Sequence, residues 1–137
     1  MRQITALFII TLISGVILFV SSCATAPMGP VGSGEARLLK IDIPHDGSNK
    51  RGLPFVVNIK FEADGKPEIK TACFIWSGDG PYCYKVTDVN YGSPGTIRVE
   101  PLAKDSGSFA LETYVIYIRD GRTKQTKVIS TQINIIP

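Results

Sequence analysis

From Ala36 onward the chain reads as short strands separated by turn residues, and in the clearest of them apolar and polar residues alternate at a spacing of two, which suits strands with one face packed and one face wet. Phe55, Val57, Ile59 and Phe61, interleaved with Val56, Asn58 and Lys60, form the clearest such segment. Leu39, Ile41 and Ile43 alternate with Lys40 and Asp42 in the same way. Further strands are predicted over Ile69 to Trp76, Tyr82 to Val89 and Thr96 to Val99. A long final hairpin is predicted from Phe109 to Ile118 and from Thr123 to Ile136, turning at Asp120-Gly121. No window carries a helical stripe with caps. The expected fold is all-β, a single antiparallel sandwich of about seven strands.

Asp-Gly pairs at 46–47, 64–65, 79–80 and 120–121 punctuate these segments. An aspartate in such a position either ligates calcium or bonds its own backbone while the glycine takes positive φ. The spaced oxygen ligands of a calcium loop are absent, so turn chemistry is the expectation and no metal is assigned. Cys73 and Cys83 flank a segment centred on Gly78. A hairpin turning there sets the two thiols opposite each other, and a disulfide is expected. Closing so short a loop is worth about 2.5–3 kcal/mol by chain entropy. Two cysteines and one distant histidine fall short of a closed zinc site, and the spacing is not Cys-x-x-Cys.

The third cysteine belongs to a different argument. Met1-Arg2-Gln3 is a small positive head, Ile4–Val20 is almost unbroken apolar sequence, and Ser21 and Ser22 precede Cys23. That order is a secretory signal. An uncleaved membrane helix is the rival reading of Ile4–Val20, but Ser14 and Gly15 interrupt it and no Lys or Arg follows until Arg37. Val20-Ser21-Ser22-Cys23 resembles the lipobox of bacterial lipoproteins. The resemblance implies diacylglycerol on the Cys23 thiol, cleavage just before it and a lipid anchor of two or three acyl chains, palmitate among them. The expected organisation is a signal peptide over 1–22, a lipidated flexible tether over 23–35 and a β-sandwich domain over 36–137. Ala24, not Asp, follows the cysteine, which by the same resemblance favours the periplasmic face of the outer membrane in a cell with two membranes. The Gly/Pro-rich tether would hold the domain on the order of 20 Å from the bilayer on average.

Seven short strands in about a hundred residues resemble an immunoglobulin-like or fibronectin-type sandwich. Trp76 on the third strand and Asp105-Ser106-Gly107-Ser108-Phe109 entering the sixth carry the likeness. Phe109 lacks the hydroxyl of a tyrosine corner, and Cys73 and Cys83 lie too close in sequence to bridge two sheets. The likeness implies an architecture and no activity.

Removal of the signal leaves 115 residues, one domain's worth, with a net charge of +2. Such a balance gives no case for nucleic acid, which needs a concentrated basic face. Catalysis is hard to build from the chain. His45 is the only histidine, in Pro44-His45-Asp46-Gly47-Ser48, and neighbours in sequence seldom point the same way. No nucleophile–base constellation and no cofactor motif is apparent. Two candidate binding surfaces remain. Trp76, Tyr82, Tyr84 and Tyr91 offer aromatic faces for a sugar or a protein, or else fill the core. Arg119, Arg122 and Lys124 make a basic hairpin tip, suited to anionic headgroups or simply to guarding an edge. The expected role is that of a non-enzymatic envelope lipoprotein that binds another envelope component, foremost a protein, through loops or an open sheet edge. A glycan-binding module built on the aromatics is the alternative, and a small protein inhibitor or hydrolase a third.

Overall fold

The computed structural model describes residues 35–137. The signal segment, the acylation of Cys23 and the tether through residue 34 lie outside the described residues.

Alternating patterns become strands wherever one face can be buried, and nine result among the described residues. They are β1 (Ala36–Asp42), β2 (Val57–Ala63), β3 (Glu68–Trp76), β4 (Asp79–Lys85), β5 (Asp88–Asn90), β6 (Gly95–Val99), β7 (Gly107–Arg119), β8 (Arg122–Gln125) and β9 (Ile129–Ile135). One antiparallel sheet runs β1-β2-β6-β5. The second runs β4-β3-β7, and the far side of β7 pairs with β8 near one end and β9 near the other. With β8 and β9 taken as one interrupted strand, each sheet has four strands, and the fold is the all-β antiparallel sandwich expected from the alternating pattern.

The core lies between the sheets. Val57, Ile59 and Phe61 of β2 and Ile97 and Val99 of β6 face Ala72, Phe74 and Trp76 of β3 and Leu111, Val115 and Tyr117 of β7. Burial of such side chains contributes about 1.5–3 kcal/mol each before entropy is set against it. The Tyr117 hydroxyl accepts the Ala36 N–H at 3.2 Å and so ties the first described strand to the opposite sheet.

Nine strands replace the expected seven because two segments break. The run from Tyr82 to Val89 changes sheets at Val86 and Thr87, whose N–H groups donate to Lys70 and Arg98 on opposite layers. The run from Thr123 to Ile136 is interrupted at Thr126, which donates its N–H to the Val115 carbonyl and accepts the Val115 N–H on its side-chain oxygen, both at 2.9 Å. A hydroxyl there does the work of a backbone carbonyl. Inward-facing residues also depart from strict alternation. The register of β1 slips between Leu38 and Lys40, so Leu38 and Ile41 are buried and Leu39, expected inside, is exposed.

The turns follow the chemistry of their residues. Asp120 (φ 51°) and Gly121 (φ 70°) form the left-handed pair of a tight hairpin. The β3–β4 hairpin turns on Ser77 and Gly78, both at positive φ, and Asp79-Gly80 belongs to the returning strand, not to the turn. Cys73 and Cys83 pair across this hairpin with Cα atoms 4.0 Å apart and form the expected disulfide on the outer face of the sheet.

Candidate functional site

Two ends of the sandwich must be distinguished. Ala36 pairs with Ala63, Phe61 with Gly95 and Glu68 with Ile118, so the chain enters at the end that also holds the β2–β3, β5–β6 and β7–β8 turns. The opposite end holds the long β1–β2 connection, the β3–β4 turn, the β6–β7 connection and the last residues of β9. The thirteen residues of β7 run between them, a span of about 43 Å at ~3.3 Å per residue.

The residues singled out by sequence do not form one surface. Trp76 is only 7% exposed and packs among Phe55, Phe74 and Phe109, with ring centroids 5.9–6.4 Å away. Its faces serve the core because position 76 points inward in β3. Tyr84 is half-buried against Phe74, and its hydroxyl donates to the Leu102 carbonyl. Tyr91 lies at the entry end, edge-on to Phe61, with its hydroxyl donating to the Pro67 carbonyl. Arg119, Arg122 and Lys124 share that end, and the Arg119 guanidinium donates to the Asp64 carbonyl. The aromatic and basic candidates are therefore split between opposite ends, with Tyr91 on the basic side.

At the far end are two concavities. The smaller, about 110 Å³, is lined by Trp76, Asp79, Tyr82, Leu102, Ala103, Lys104, Asp105 and Phe109. Across its mouth the Lys104 ammonium donates to the Tyr82 hydroxyl at 3.0 Å, and that hydroxyl donates to the Asp79 carboxylate. The bond to Tyr82 raises the Lys104 pKa above that of an ordinary lysine, with the nearby Asp79 charge assisting. Lys104 also covers the Tyr82 ring, 4.1 Å from its centroid. A cleft of this size is smaller than the ~150 Å³ cavity known to take benzene, so it has room to enclose about one aliphatic side chain.

The larger concavity is an open groove of about 500 Å³, within the usual range of binding sites. It lies where Ile43, Pro44 and His45 lead away from β1 and where β9 ends. Ile43, Ile133 and Ile136 give it an apolar floor, and Asn49, Ser108, Gln132 and Asn134 give it uncharged hydrogen-bonding groups. Its walls are tied together: Asn49 donates its side-chain N–H to the Asn134 carbonyl, Ile136 donates to the Asn49 carbonyl, and Arg51 donates to the Ile136 carbonyl. At its rim the Asp46 carboxylate accepts from Ser48, which lowers its pKa below the usual aspartate value. His45 lines the groove with no hydrogen-bond or ion-pair partner among the described residues. No group of three metal-ligating side chains occurs among the described residues.

The arrangement sets neutral hydrogen-bond donors and acceptors over an aliphatic floor. Sequence inspection did not single out this groove, since its residues come from three separated stretches. The uncharged run Ile129-Ser-Thr-Gln-Ile-Asn-Ile135 was the available signal. The chain matches no family model, no curated protein and no solved structure, so its chemistry rests on this geometry.

Proposed function

We propose that the protein is an envelope lipoprotein, anchored through Cys23, whose sandwich binds another envelope protein at the end of the domain opposite Ala36. The observation that carries this reading is the position and lining of the 500 Å³ groove. The described chain begins at the opposite end, so the groove lies at the end of the sandwich away from the point where the tether would join it. Apart from the His45 imidazole the lining has no ionisable side chain, and it is mixed in polarity, as the centre of a protein interface is.

The glycan alternative draws less support. Stacking on sugar needs an open aromatic face, and Trp76 is buried while Lys104 covers the Tyr82 ring. Photoreactive side chains at His45 and at Tyr91 in intact cells test the reading. The expected result is a discrete protein adduct from His45 and none from Tyr91. Carbohydrate adducts alone, or an adduct confined to Tyr91, would overturn it. Incorporation of labelled palmitate that disappears in Cys23→Ala tests the anchor.

A further inference from the structure

We infer that β9 is an acceptor edge for an extended strand of the partner protein, an inference that rests on the protein-binding reading and specifies how binding occurs. The unpaired N–H and C=O groups of an exposed edge are a template for another chain, and stable proteins blunt their edges with charge, proline, bulges or shortness. Every other edge here is blunted. β1 carries Arg37, Lys40 and Asp42 and the register slip after Leu38. β4 carries Asp79, Pro81 and Lys85, and β5 is three residues long. β8 is four residues long, carries Arg122 and Lys124, and ends at the Thr126 irregularity.

β9 is the exception. Its seven residues contain no charge and no proline, and no slip interrupts its register with β7 from Gly107↔Ile135 to Thr113↔Ile129. Among the described residues the Asn49–Arg51 segment meets the last part of its other side, through the Asn134 carbonyl and both backbone groups of Ile136, and no backbone hydrogen bond reaches the outer edge of Ile129–Ile133. The groove runs beside this edge, with Ile133 and Ile136 at its floor and Gln132 and Asn134 on its wall. An incoming strand would gain backbone hydrogen bonds from β9 and place alternate side chains over the isoleucines, the mode known as strand addition.

Charge selects the occupant. Lys50 and Arg51 stand at one end of the edge, and Lys124 and Arg122 continue past the other. Two copies of β9 paired antiparallel about Gln132 would bring the cations at one end of each copy against those of the other, and like charges set together oppose pairing. A foreign strand with an uncharged, β-branched centre and acidic ends meets no such repulsion. The partner segment is therefore assigned as a short strand matched to Ile129–Ile133, apolar at alternate positions and flanked by Asp or Glu.

The test uses the full exported protein in detergent micelles and the peptide acetyl-Asp-Val-Thr-Val-Thr-Val-Asp-amide. Amide hydrogen exchange should slow by roughly tenfold or more at alternate residues of Ile129–Ile133, with β1, β4 and β5 unchanged. The Lys-flanked peptide with the same centre should bind roughly fivefold more weakly, the scale of a few exposed charge pairs. Absence of protection in β9, equal protection at the other edges, or protection that needs only a higher protein concentration would overturn the inference; the last would make a second copy the occupant. In cells, Ser130→Lys and Gln132→Lys place a guarding charge on exposed positions. Loss of the His45 protein adduct in these variants supports strand addition. Its persistence refutes strand addition while leaving the protein-binding reading intact, and absence of any adduct in the unsubstituted protein refutes that reading itself.

Discussion

Two buried threonines should respond in opposite directions to the same substitution. Thr113 on β7 is fully buried between Phe74 and Ile129, and its hydroxyl has no hydrogen-bond partner among the described residues. Thr126 is also buried, but its hydroxyl accepts the Val115 N–H at 2.9 Å. Valine has nearly the shape of threonine with a methyl in place of the hydroxyl. At position 113 it removes an unsatisfied polar group and should stabilise the fold by about 1–2 kcal/mol. At position 126 it strands a buried backbone donor and should destabilise by about 1–3 kcal/mol. The assay is urea denaturation followed by the fluorescence of Trp76, the sole tryptophan. For a domain of this size, 1 kcal/mol corresponds to about 4–8 °C in Tm, so the two variants should lie well apart. If Thr113→Val costs as much as Thr126→Val, the Thr113 hydroxyl is satisfied in solution and the reasoning fails.

Three further outcomes are expected. Gly95→Ala should cost about 1–3 kcal/mol, because an added Cβ would sit 2.5 Å from Phe61 Cε1 and 2.7 Å from the Asn90 carbonyl oxygen. The cost should shrink in a Phe61→Leu background, and simple additivity in the double-mutant cycle would refute the clash. Replacing Cys73 and Cys83 together by alanine should lower stability by about 2.5–3 kcal/mol, read as a lower urea midpoint; a loss below about 1 kcal/mol would contradict the loop-entropy account. The Asp46 carboxyl should titrate below an ordinary aspartate by NMR and move back up in Ser48→Ala, since Ser48 supplies the bonds that favour its charged form. Because the folded pKa is depressed, that contribution to stability is present above the unfolded pKa and is lost as pH falls through the folded one; an unchanged midpoint in Ser48→Ala would contradict this.

The sequence by itself determined the class of fold, the turn at Asp120-Gly121 and the disulfide. These depend on contacts between near neighbours: a period of two, a residue tolerant of positive φ, and two cysteines either side of a tight turn. The resemblance to a secretory signal and lipobox, on which the proposed anchor rests, is likewise written in a contiguous run. Tertiary structure decided what depends on which surface each strand meets. The exposure of Leu39 follows from a register slip against β2, invisible in a segment whose alternation reads evenly. The burial of Trp76 follows from facing Phe55 across the sandwich, and an aromatic is equally at home on a binding face. The separation of Tyr91 and the basic tip from Trp76 and Tyr82 follows from antiparallel pairing, which sends successive turns to opposite ends. The open edge of β9 is the clearest case. Its uncharged sequence is plain to read, but whether a strand lies at the centre or the rim of a sheet is settled by its neighbours, and those come from distant parts of the chain.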